Sequence, residues 1–121
     1  MIKGKQSIAF NASPYIEESA SVVGKKEGEG PLGSRFDMVG LDDMFGEDTW
    51  EKAESSMQKE ACQLALGKAH LTAGAIRYLF GGDLLRQGVA TSLGVEQLQI
   101  PMFGLYGACS TSVSYTHLRA H

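Results

Sequence analysis

The chain has 121 residues, 43% of them hydrophobic and 21% charged, the length and balance of one soluble globular domain with a modest core. A formal net charge of −3, with no basic patch interleaved with aromatics, argues against a nucleic-acid-binding protein. No apolar run reaches the length of a membrane span, and the N-terminus lacks the apolar core of a signal peptide.

Two cysteines, Cys62 and Cys109, give neither a disulfide framework nor a metal-ligand spacing, so no metal or other cofactor is expected. A reducing, cytosolic-type compartment is the default for such a chain. Lys25-Lys26 is the only adjacent basic pair, and Glu27 and Glu29 offset it.

Ser7, Ile8, Ala9 and Phe10 form a short apolar segment that reads as the first strand, closed by Asn11, Ser13 and Pro14. From Tyr15 to Gly46 the pattern has no period, and Gly24, Gly28, Gly30, Gly33 and Gly40 punctuate it. Gly28-Glu29-Gly30-Pro31-Leu32-Gly33 is glycine-rich. It lacks the Gly-Lys-Ser/Thr ending of a phosphate loop, and no strand leads into it. A long ordered loop that carries function and a flexible surface excursion both fit this composition.

The strongest pattern runs from Asp48 to about His70. Asp48 with Glu51 three residues on makes a capping box. Trp50, Ala53, Met57, Ala61 and Leu64 recur at helical spacing as one apolar stripe. Glu51, Lys52, Glu54, Lys59 and Glu60 occupy the other faces. Cys62 lies beside the stripe as a packing residue. His70 falls at the C-terminal end, where a cation suits the helix dipole, and reads as a surface residue.

Ala75 to Phe80 is the next strand, ending in Gly81-Gly82-Asp83. A carboxylate just beyond a strand is where open α/β sheets place ligand contacts, and it is equally where a helix N-cap stands. Gln87 to Gln99 reads as a short helix with Val89, Leu93 and Leu98 inward and Gly94 weakening it. Ile100 to Tyr106 is a buried strand that leads into Gly107-Ala108-Cys109-Ser110-Thr111-Ser112. Small residues around one cysteine suit a tight turn that presents a thiol at a helix start, where N–H groups bind anions and lower a thiol's pKa. They suit a buried structural cysteine equally well. Strands alternating with helices give an α/β fold with a mostly parallel sheet and packed helices.

Four segments together resemble one family. They are Glu29-Gly30-Pro31-Leu32-Gly33 with Phe36-Asp37, Trp50-Glu51 with Ala53-Glu54, Gly82-Asp83-Leu84-Leu85 with Gln87, and Ile100-Pro101 leading to Gly107-Ala108-Cys109-Ser110-Thr111-Ser112. In this order they are similar to the stage V sporulation protein AD family, thiolase-fold proteins of spore-forming bacteria. The resemblance covers about residues 3 to 112, which implies the N-terminal part of a thiolase-like domain over residues 1–112, truncated before its second half.

The resemblance implies a protein that binds dipicolinic acid without reacting on it and supports its uptake into the developing spore. It implies other stage V sporulation proteins as partners, a peripheral position on the cytoplasmic side of the forespore membrane, and a homodimer of the complete protein. Asp83 and Cys109 match family positions implicated in the ligand pocket. Dipicolinate is a planar aromatic dianion, so an anionic Asp83 would repel it unless the carboxylate orients a cation, a water or a donor. The alternative is a thiolase or 3-oxoacyl-ACP-synthase-III-like acyltransferase with Cys109 as the acyl-accepting nucleophile.

Where such an enzyme continues into a buried apolar helix, this chain reads Val113-Ser114-Tyr115-Thr116-His117-Leu118-Arg119-Ala120-His121. That polar, cationic ending resembles one reading frame through a transposase-type sequencing adaptor. Residues 113–121 are therefore expected to be a non-native tail, with His117 and His121 outside any catalytic set. A domain without its second half would leave apolar faces uncovered and be poorly soluble or molten.

Overall fold

The computed structural model describes residues 2–5 and 7–113; apart from Val113, the tail expected at residues 113–121 lies outside them, with His117 and His121. Strand β1 (Ile2–Lys3) pairs antiparallel with β2 (Ser7–Ile8) across a turn in which Gly4 takes a φ of 71°. The first expected strand is thus present but two residues long.

The region expected to be one long loop is ordered. Strand β3 (Val22–Val23) pairs in parallel with β4 (Met38–Val39). Between them lie a one-turn helix, α1 (Lys25–Gly28), and a 3-10 turn at Gly33–Arg35. The glycines explain why this excursion folds back on itself: a Cβ at Gly33 would strike the carbonyl oxygen of Gly28, and one at Gly28 would strike Val39. Gly28 and Gly33 are therefore packing devices.

Helix α2 (Trp50–Lys68) is the longest element, with 19 residues. Its N-cap is Thr49, whose side chain accepts the Lys52 N–H at 3.3 Å. Asp48, one residue further out than a cap can reach, instead pairs with the Lys52 ammonium at 2.8 Å. This corrects the expected Asp48 capping box. Ala53 of the apolar stripe is buried, but Trp50 stays 59% exposed at the first helical position. At the other end His70 takes a left-handed φ of 54°. The Leu71 N–H bonds to Leu66 O at 2.9 Å and the His70 N–H to Gly67 O at 3.1 Å, the paired bonds of a Schellman ending.

Lys68 fastens this end of α2 to the β3–β4 unit. Its ammonium donates to Ser19 O at 2.6 Å and to Asp37 at 3.0 Å. The hydrogen bond from Lys68, with those from the Ser21 N–H and hydroxyl, holds the Asp37 carboxyl below the usual carboxylate range.

Strands β5 (Leu79–Gly81) and β6 (Met102–Gly104) pair in parallel, with Leu79 opposite Met102 and Gly81 opposite Gly104. Phe80 stacks on its register partner Phe103 at 5.1 Å, and Tyr78 meets Phe103 edge-on at 5.6 Å. Of the strand expected from Ala75 to Phe80, only Leu79 and Phe80 are strand, and Ala75 ends a 3-10 turn at Ala73–Ala75.

The crossover from β5 to β6 contains α3 (Val89–Val95), with 3-10 turns at Arg86–Gly88 and Glu96–Leu98. Its inward face is Ala90, Thr91, Gly94 and Val95, whereas Val89 and Leu93 are exposed at 46% and 59%. The expected inward pair is therefore corrected. Close approach to α2 selects the small face, since a Cβ at Gly94 would lie only 2.5 Å from Ser55 O.

The chain is a mixed α/β unit with short parallel strand pairs and helices packed together. Among the described residues the buried apolar side chains are Ala53, Ala90 and Val95, while Phe80, Leu93, Phe103 and Tyr106 stay exposed.

Candidate functional site

Two corners follow the ends of the adjacent parallel strands β5 and β6. At the first, Gly82 follows Gly81, and a Cβ there would strike Leu105 O and lie 2.5 Å from the Thr111 methyl. Only glycine lets the two corners meet so closely.

Asp83 comes next and is 4% exposed. One carboxylate oxygen accepts the Gly88 N–H at 2.8 Å. The other accepts the Thr91 N–H at 2.9 Å and the Thr91 hydroxyl at 2.8 Å. Gln87 and Gly88 both take positive φ, 55° and 93°, which folds the chain back so that these donors face Asp83. Gly88 is the N-cap of α3 and offers no side chain, so Asp83 does the capping from five residues upstream. Burial pushes its carboxyl up, but the bonds from Thr91 and Gly88 outweigh burial and hold it below the usual range.

A second carboxylate serves the same corner. Glu54 of α2 accepts the Leu84 N–H at 3.0 Å through one oxygen and the Leu85 N–H at 3.2 Å through the other. Beside it the Ser55 hydroxyl donates to Ala90 O at 2.7 Å. Sequence reasoning placed Glu54 among the surface charges of α2 and missed this role. Its position next to the buried Ala53 was the available signal. The N–H groups of Leu84, Leu85, Gly88 and Thr91 are thus all taken by the chain's own carboxylates.

The second corner carries the cysteine. The Leu105 N–H bonds to Gly81 O at 2.8 Å, prolonging the ladder beyond β6. A 3-10 turn at Ala108–Ser110 follows, and residues 111–113 continue as helix. Ala108 has a φ of 47°, a strained value for a residue with a Cβ. Thr111, 6% exposed, closes the turn by accepting the Gly107 N–H at 3.0 Å.

Cys109 is exposed at this turn, and Cys62 is half-buried on α2; both are free thiols. The structure therefore presents Cys109 at a corner, and it is Cys62 that packs, with burial raising its thiol pKa. Asp83 and Cys109 both follow the C-terminal end of the parallel β5–β6 pair, one buried and one open. A groove of about 350 Å³ lies between α3 and β6, bordered by Gln87, Val89, Leu105 and Tyr106, and neither Asp83 nor Cys109 lines it. Among the described residues no cluster of three or more metal-ligating side chains forms, and no helix is long and apolar enough to cross a membrane.

Fold and site define an α/β protein in which two neighbouring parallel strands end in a carboxylate-locked corner and a cysteine turn. The sequence profile of stage V sporulation protein AD (SpoVAD) matches residues 4–120. Stage V sporulation protein AD of Bacillus subtilis (strain 168) is 38% identical over 113 residues, which are 93% of this chain and 33% of that relative. The chain belongs to the stage V sporulation protein AD family, as its sequence motifs suggested, and spans about a third of the length of the curated relative it matches.

Proposed function

We infer that this sporulation protein binds dipicolinic acid and supports its uptake into the developing spore, as a thiolase-like protein that performs no reaction on the acid. The meeting of the Asp83 and Cys109 corners at Gly82 carries this reading. It gives one site a rigid wall and an open turn. Asp83 serves the ligand indirectly: with its charge answered by Thr91 and Gly88, it fixes the corner without confronting a dianion. Cys109 and its small neighbours form the accessible side, where a flat ring can approach the backbone. Other stage V sporulation proteins at the forespore membrane are the proposed partners. The complete protein would act there as a homodimer, peripheral to the cytoplasmic face.

The exposure of Cys109 beside the strained Ala108 favours one second reading. In it, Cys109 attacks a thioester carbonyl, takes the acyl group on Sγ and releases the donor thiol.

Isothermal titration of dipicolinate into the full-length protein, with Asp83→Ala and Cys109→Ala in parallel, tests the first reading. Saturable heat that both substitutions weaken, with no acyl-enzyme formed from a thioester, is the expected result. An acyl adduct on Cys109 in the intact-mass spectrum, without dipicolinate binding, would establish the second.

A further inference from the structure

We propose that Glu54 is a positioning residue for this site, acting from α2 through the Asp83 corner on the cysteine turn. The assignment rests on the reading that the two corners form one site. Glu54 is half-buried on the face of α2 that packs against α3. Its two oxygens take the consecutive N–H groups of Leu84 and Leu85, the first two donors after Asp83. No helix or strand partner satisfies those donors, so the path of the chain there is set by a side chain from another element.

The consequence reaches further than one turn. Residues 84 and 85 are held from outside by Glu54, while Gly88 and Thr91 are held from inside by Asp83. The corner is clamped between two carboxylates, and Gly82 at its base bears directly on Leu105 and Thr111. Thr111 in turn accepts the Gly107 N–H that closes the cysteine turn. A continuous path of contacts runs from α2 to the segment that presents Cys109. Releasing Glu54 loosens that segment while leaving the body of α2 intact.

The experiment measures amide hydrogen exchange and dipicolinate binding in the full-length protein and in its Glu54→Ala and Glu54→Gln variants. Glu54→Ala is expected to speed exchange at least about tenfold in peptides covering residues 82–88 and 104–110, since two charge-assisted hydrogen bonds are lost. Exchange in a peptide from the middle of α2 stays unchanged, and the Kd for dipicolinate rises about tenfold. Glu54→Gln keeps one acceptor oxygen and falls between Glu54→Ala and the unsubstituted protein. Faster exchange throughout the chain, or no change near Cys109, would overturn the assignment, as would local loosening with unaltered affinity. Local loosening in a protein that never binds dipicolinate would uphold Glu54 as the clamp and overturn the proposed ligand instead.

Discussion

Thr91 gives both its backbone N–H and its hydroxyl to a single oxygen of Asp83, at 2.9 and 2.8 Å. Both residues are buried, at 0% and 4% exposure. A short helix whose own N-cap is a glycine is thereby started by a carboxylate on a neighbouring strand's end.

Removing that carboxylate leaves the buried donors of Thr91 and Gly88 without an acceptor. Asp83→Ala is expected to destabilise the protein by about 2–4 kcal/mol and Asp83→Asn by about 1–2 kcal/mol. The midpoint of urea unfolding measures both, and an Asp83→Ala midpoint equal to that of the parent would contradict the capping role.

The same bonds set a pH dependence. The Asp83 carboxyl is held below its ordinary value in the folded chain. Its stabilisation is therefore complete above the unfolded carboxyl value, about 3.9, and is lost as pH falls through the lower folded value. The stability gap between parent and Asp83→Asn should be constant from pH 5 to 7, as an order-of-magnitude window, and close below about pH 4. A gap that widens on acidification would reverse the sign.

Close helix packing supplies a third expectation. Gly94→Ala adds a methyl 2.5 Å from Ser55 O, and neither backbone can yield freely. Alanine's better helix propensity contributes about 1 kcal/mol in favour, but overpacking costs about 1–3 kcal/mol. Net destabilisation in thermal unfolding is expected, and a raised Tm would show that α3 can move away from α2.

The two thiols should separate kinetically. Cys109 is exposed and Cys62 is half-buried with its thiol pKa raised. Maleimide labelling of the folded protein, followed by peptide mass spectrometry, should modify Cys109 first and Cys62 only slowly. Equal rates would mean that α2 is not packed as described.

The length of each sequence pattern decides which elements it reveals. Helix α2, 19 residues long, shows itself through five apolar positions at helical spacing from Trp50 to Leu64. Strands β3 and β4 did not, because two residues of Val-Val or Met-Val leave no alternation to detect. Side-chain size does not mark the inward face of α3, because the close approach to α2 leaves no room for a Cβ at Gly94. Asp83 and Cys109 stood out as chemistry-bearing residues just beyond strand ends. Glu54 leaves only its place beside Ala53 as a sign, because its partners are two backbone N–H groups 30 and 31 positions away. A side-chain pattern cannot encode a partner that every residue possesses.

On the proposed function, the aspartate corner and the cysteine turn are two walls of one dipicolinate site. Alkylation of Cys109 by iodoacetamide, measured on the full-length protein with and without dipicolinate, is the decisive measurement. Dipicolinate should shield Cys109 but not Cys62, and Asp83→Ala should abolish the shielding. Unchanged alkylation of Cys109 at saturating dipicolinate would contradict the claim.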